Sequence, residues 1–166
     1  FIHGGFFHIL FNMFVLWMFG KDLEVDWGKF EFLIFYFVCG IGSGLITVLA
    51  NINSPIVIVG ASGAVYGVLV AYGFTYPNRI VYLYGVLPLK VKYMVLGFGI
   101  ISFFASLSAS QSKVSHITHL SGMIIGIIYM LYNFKRKNIH LWYIKMKLGS
   151  IQGKQKHNED EQSQIR

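Results

Sequence analysis

Charge is what this chain has least of. Only 13% of its 166 residues are Asp, Glu, Lys or Arg, against about a quarter in an average soluble domain. With 55% hydrophobic residues and a mean hydropathy of +0.57, that shortage excludes an ordinary water-soluble globule and makes the bilayer the expected solvent. A single cysteine, Cys39, excludes an intrachain disulfide, and its apolar neighbours make it a small packing residue. No initiator methionine, basic leader or cleavage-type signal precedes the first apolar stretch, so the chain reads as truncated at its N-terminus. The net charge of +7 would suggest nucleic acid in a soluble protein, but here its placement points to a membrane surface, and no nucleic acid is expected.

What is present is five apolar stretches, each near the ~20 residues that cross a hydrocarbon core as helix. They run from Phe1 to Gly20, Phe30 to Ala50, Ile56 to Tyr76, Leu89 to Leu107 and Val114 to Phe134. The expected fold is all-α, a polytopic transmembrane helix bundle with five spans in this chain. Ile80 to Leu87 is apolar but too short to span and reads as an interfacial segment. Residues 1–134 form the expected membrane core, 135–148 a basic interfacial cytoplasmic segment, and 149–166 a disordered polar tail.

Basic residues set the orientation. If the loop from Lys21 to Lys29, the loop from Pro77 to Lys92 and everything after Phe134 are cytoplasmic, that side holds 13 of the 14 Lys and Arg, leaving only Lys113 outside. Phe1 then starts on the outer side and the C-terminus is cytoplasmic. Such a start implies a preceding span and a natural total of six helices or more.

Polar residues placed by depth make a constellation. Ser62 falls about six residues into the third span, ~10 Å down, and His119 about five residues into the fifth, ~8 Å down. His8 and Asn12, four residues apart in the first span, share a helix face. Small-xxx-small steps at Gly63/Gly67 and Gly122/Gly126 would let the third and fifth spans approach closely and bring Ser62 towards His119. Gly40, Gly42 and Gly44 mark another packing face. These polar groups can each be explained by interhelical hydrogen bonds, yet their cost inside a span favours function.

A serine hydroxyl becomes a nucleophile when a base takes its proton, and histidine is the usual base. Donors for a developing oxyanion could come from the Asn12 amide, the His8 ring N–H and the Ser62 backbone N–H. All seven acidic residues, Asp22, Glu24, Asp26, Glu31, Glu159, Asp160 and Glu161, fall on the cytoplasmic side. A hydrolase here would therefore use a Ser-His dyad without a carboxylate. Tyr66 shares a face with Ser62 and is a candidate to pack on the imidazole. His3 is read as marking the outer boundary, His116 as facing solvent, and His140 and His157 as solvated.

His8-Ile9-Leu10-Phe11-Asn12, then Gly60-Ala61-Ser62-Gly63 with Tyr66, then His119 with Gly122 and Gly126, resemble the rhomboid intramembrane serine proteases in kind and order. The resemblance covers nearly the whole chain up to Phe134. It implies a six-helix core with Ser62 as nucleophile and His119 as general base. It also implies an oxyanion hole from His8, Asn12 and the Ser62 backbone, and Tyr66 stacked on His119. Glu24 resembles a cytoplasmic-side acid that helps hold helices together, and His3 a histidine near the outer mouth. The substrates implied are single-span membrane proteins, and the place is a bacterial cell membrane, with no cofactor and no metal. The family's first helix and its following loop, with a Trp-Arg motif, are absent from these residues. A catalytically silent rhomboid-like protein that binds or escorts membrane helices is the alternative, and a histidine-lined transporter or metal site is a third class.

Overall fold

The computed structural model describes residues 6–52, 61–83, 85–107 and 116–133. The segments expected at 135–148 and 149–166, and the residues His3, His140 and His157, lie outside them. The chain divides into two compact units, Phe1–Met130 and Leu131–Arg166. Of the second, only the helical residues 131–133 are described.

Among the described residues two helices are long and apolar enough to cross a membrane, Phe6–Trp27 and Lys29–Ala50, each of 22 residues. The first comprises α1 (Phe6–Val15), a π-helical turn (Leu16–Gly20) and α2 (Lys21–Trp27). The second is α3 (Lys29–Ala50). The segment from Lys21 to Lys29, expected as a loop, is thus helical to Trp27. Its charges do not end the helix because Leu23 still points into the core, fully buried. The chain reverses instead at Gly28, whose φ of 86° is open to glycine and strained for other residues. The Gly28 N–H closes α2 by donating to the Glu24 carbonyl at 2.9 Å.

α4 (Ser62–Thr75) is the inside of the bundle. From Ser62 to Tyr72 every residue but Tyr66 is buried, whereas α1 and α3 expose large apolar side chains such as Phe6, Phe11, Phe30 and Ile41. A helix apolar all round is a core helix, and exposed apolar faces around it suit lipid rather than water. α5 (Val91–Leu107) and α6 (residues 116–133) complete the described helices.

The short apolar segment before α5 is a β-hairpin. β1 (Ile80–Leu83) pairs antiparallel with β2 (Leu87–Lys90), Ile80 opposite Lys90 and Leu83 opposite Leu87, with Gly85 at φ 75° in the turn. β-branched and aromatic residues favour that ladder, and two main-chain bonds tie it to the start of α5, Val91 to Arg79 and Lys92 to Pro77.

Polar contacts close the bundle at this end. Asp22 accepts from the Tyr72 hydroxyl at 3.0 Å and from Arg79, and Asp26 accepts from Tyr76. The Arg79 guanidinium also donates to the Tyr72 hydroxyl and lies 4.8 Å from the Tyr76 ring centroid. Its hydrogen bonds to Tyr72 and Asp22 push its pKa further up, so it stays charged. Tyr129 donates to Glu31 at 3.2 Å. Glu24, expected to hold helices together, is exposed; Asp22 joins α2 to α4 and Arg79 because it faces Tyr72.

At the other end the helices meet through small residues. A Cβ on Gly122 would lie 2.7 Å from the Gly63 carbonyl carbon, and one on Gly126 3.2 Å from the Gly67 Cα, so α4 and α6 touch backbone to backbone. α3 meets α4 at the same glycines, with Ser43 against Gly63 and Cys39 against Gly67. Of the expected glycine face, Gly40 and Gly42 have close neighbours, whereas a Cβ on Gly44 would meet nothing within 4 Å.

One buried pair joins α3 to α6. The Thr47 hydroxyl donates to the Ser43 carbonyl at 2.7 Å, so its 2.9 Å contact with the Thr118 hydroxyl makes Thr118 the donor there. Thr47→Val keeps the shape and removes that acceptor. We expect it to lower stability by about 1 kcal/mol in SDS–detergent unfolding. An unchanged midpoint would mean that the pair contributes nothing.

Candidate active site

Ser62 is the first residue of α4, because Ala61 before it is not helical (φ −86°, ψ 7°). It was expected about six residues into a span beginning at Ile56; residues 53–60 lie outside the described ones, and Ala61 directly before it is not helical. The difference matters chemically. The first helical bond at this end is Val65 N–H to the Ala61 carbonyl at 3.1 Å, so the N–H groups of Ser62, Gly63 and Ala64 have no acceptor within the helix. They add to the positive end of the helix dipole beside the Ser62 side chain, which is only 6% exposed.

His119 lies on α6 one turn before Gly122, the residue that touches Gly63. The crossing therefore carries Ser62 on one strut and His119 on the other at the same end. Tyr66, one turn into α4, lies flat on the imidazole with ring centroids 4.1 Å apart and planes 6° apart. Phe98 of α5 meets the Tyr66 ring edge-on at 6.2 Å. These contacts leave the His119 ring little freedom to turn out of its plane.

α1 supplies the third side. The Asn12 side chain is 6% exposed and donates one amide hydrogen to the His8 carbonyl at 2.8 Å, a bond along its own helix. Below it on the same helix, past the π turn, Phe19 is also buried, edge-on to Tyr72 at 4.8 Å. His8 and His116 both stand within electrostatic reach of His119.

His116, expected to face solvent, is half-buried. Its Nδ1 is buried, and its ring stands at 86° to that of His119 with centroids 6.0 Å apart. The only signal in the sequence was its spacing of three from His119. Ser43, Thr47, Thr118 and Ser102 are buried hydroxyls that sequence reasoning did not single out.

Among the described residues no group of three or more His, Cys, Asp or Glu could hold a metal ion. A separate groove of about 660 Å³ runs between α4, α5 and α6, lined by Gly73, Val95, Gly99, Met123 and other apolar residues with Lys92. None of Ser62, Tyr66, Asn12 or His119 lines it.

Fold and site together define a polytopic helical membrane protein built on a buried, serine-headed helix crossed by a histidine-bearing one. The rhomboid-domain profile matches residues 1–136, and the chain belongs to the rhomboid family. It is 33% identical over 139 residues to Rhomboid-like protein 11, chloroplastic, of Arabidopsis thaliana, covering 77% of this chain and 48% of that one. To Rhomboid protein 1, mitochondrial, of Saccharomyces cerevisiae it is 29% identical over 143 residues, covering 80% and 39%. To Rhomboid protease GluP of Bacillus subtilis it is 30% identical over 128 residues, covering 75% and 23%. The chain spans less than half the length of each of these three relatives. They come from a plant, a yeast and a bacterium, so they single out no one kind of membrane. No solved structure matches the chain.

Proposed function

We propose that this chain is the core of an intramembrane serine endopeptidase that hydrolyses peptide bonds of single-span membrane proteins. Ser62 Oγ is the nucleophile. His119 takes its proton as the hydroxyl adds to the substrate carbonyl, then returns it to the departing amine; water, activated in turn by His119, releases the acyl group. Asn12, His8 and the main-chain N–H of Ser62 stabilise the oxyanion. The observation that carries this reading is the flat stacking of His119 on Tyr66 at the Gly63–Gly122 crossing, which holds an imidazole beside the head of α4. Membership of a family whose relatives include Rhomboid protease GluP supports the hydrolytic reading.

A substrate helix must unwind locally, because its peptide bonds are covered by its own hydrogen bonds. The distribution of Lys and Arg supports a multi-pass protein with a cytoplasmic C-terminus and a site in the outer half of the bilayer. A bacterial cell membrane is the proposed location.

The test is covalent labelling of the full-length protein in liposomes by a fluorophosphonate. Label is expected on Ser62, to be lost in Ser62→Ala and to require His119, with reporter cleavage falling by at least about 10⁴-fold in either variant. Intact folded protein that takes no label would overturn the enzyme and favour a rhomboid-like binder of membrane helices.

A further inference from the structure

The groove between α4, α5 and α6 lies outside the candidate active site, and its chemistry is of a different kind. Its lining steps by three and four residues along each wall, from Val70 past the end of α4 to Pro77, from Lys92 to Phe104 on α5 and from Leu120 to Ile127 on α6. Each helix therefore turns one face to it. From Lys92 to Phe104 the α5 wall measures about 18 Å, close to the ~15 Å of one hydrocarbon leaflet. Spread over that length, 660 Å³ leaves a cross-section of roughly 37 Å², less than half that of a helix ~10 Å across with its side chains. A slot this narrow suits extended hydrocarbon chains and not a further helix.

One end of the slot is charged. Lys92 is a cation, and the other lining residues are uncharged. Its main-chain N–H donates to the Pro77 carbonyl at 3.2 Å, so the base of the hairpin ties together the two lining residues at this end. The Lys92 ammonium stands 5.2 Å from the ring centroid of Tyr93, and no carboxylate among the described residues pairs with it. Arg79, by contrast, is committed to Asp22. Lysine beside tyrosine at a helix start anchors that end at the boundary between hydrocarbon and headgroups. An unneutralised positive charge thus stands where an apolar slot one leaflet long opens.

We propose that this groove is a binding site for an anionic phospholipid of the leaflet at the hairpin end, with the phosphate on Lys92 and an acyl chain along α5 towards Phe104. Burial of methylenes holds the chain, and the lysine selects the headgroup. Met123 makes the wall adaptable: a Cβ on Gly99 would come within 3.3 Å of its methyl, so a flexible thioether faces a missing side chain across the two helices. The site stands whether or not the chain hydrolyses peptide bonds.

The test uses the full-length protein, stripped of lipid in detergent and titrated with dioleoyl phosphatidylglycerol or dioleoyl phosphatidylcholine, with bound lipid counted by native mass spectrometry. The wild type is expected to hold one phosphatidylglycerol about fivefold more tightly than phosphatidylcholine. Lys92→Gln should bring the two lipids to parity. Lys90→Gln, on β2 and outside the lining, should leave the preference in place. Ile100→Trp, at a lining position 48% exposed, fills the slot and should weaken both lipids by about tenfold or more. An unaltered thermal midpoint without added lipid shows that this variant is folded; if it is not, Leu96→Trp, at 60% exposure on the same wall, takes its place. Equal affinity of the wild type for the two lipids, or an undiminished preference in Lys92→Gln, overturns the headgroup site. So does an equal loss in Lys90→Gln, which would reduce the effect to surface charge. Wild-type affinities in the tryptophan variant would put the chains elsewhere, and displacement of bound lipid by a single-span reporter helix would make the groove a helix site; either result overturns the proposal.

Discussion

Gly122→Ala is expected to part α4 from α6 and to remove both stability and activity. A Cβ at this position would overlap the Gly63 carbonyl oxygen and lie 2.7 Å from its carbon and 3.0 Å from the Gly63 Cα. Those atoms are main chain of the facing helix, so no rotamer change relieves the clash. Ordinary overpacking costs about 1–3 kcal/mol, and a backbone obstacle puts this change at or above the top of that range. Between helices in lipid, where close packing drives association, little else compensates. Separation would also carry His119 away from Tyr66 and Ser62, so labelling should vanish along with the unfolding midpoint. Gly44→Ala is the matched control: a Cβ there meets nothing within 4 Å, and a change within ~0.5 kcal/mol is expected. If Gly122→Ala unfolds at the wild-type midpoint, the two helices do not cross at this glycine.

The contrast between those glycines shows what could be read from the letters. Steps of four at Gly63/Gly67 and Gly122/Gly126 indicated two helix faces able to touch, and the backbone contacts fall on those residues. Which residues of α3 would lie against α4 was not legible. Of glycines 40, 42 and 44, Gly40 lies against Ala64 of α4 and Gly42 against Ile125 of α6, but Ser43 and Cys39, which press on Gly63 and Gly67, were not foreseen, because a helix face is set by rotation as well as residue size. Hydropathy found the apolar stretches but could not see where regular helix begins, and the described helix starts at Ser62 itself. A serine at a helix head differs from one in mid-helix in having beside it N–H groups that no bond within the helix uses. Likewise, charge density suggested a loop at Lys21, although Leu23 keeps one face apolar and Gly28 makes the turn. The hairpin escaped notice because eight apolar residues are compatible with several structures until a partner strand is known.

Asn12→Ala is expected to lower kcat by about 10²- to 10³-fold with little change in KM, the cost of removing one oxyanion donor. The reasoning starts from its hydrogen bonds. One amide hydrogen is committed to the His8 carbonyl at 2.8 Å, which holds the carboxamide against its own helix and fixes the direction of the other hydrogen. A buried amide with a pre-set second donor costs no reorganisation when negative charge develops on a substrate oxygen, and water cannot screen it at 6% exposure. Asn12→Asp sharpens the test. It is nearly isosteric but replaces the donor by a carboxylate, which repels an oxyanion, so it should be slower than Asn12→Ala even though it removes less volume. Ser62 and His119 remain in both proteins, so a fluorophosphonate should still mark Ser62, at a reduced rate. That residual label separates these variants from Ser62→Ala. Should Asn12→Ala turn over the reporter at the wild-type kcat, the oxyanion must be held elsewhere, with the His8 ring N–H and the Ser62 main-chain N–H the remaining donors.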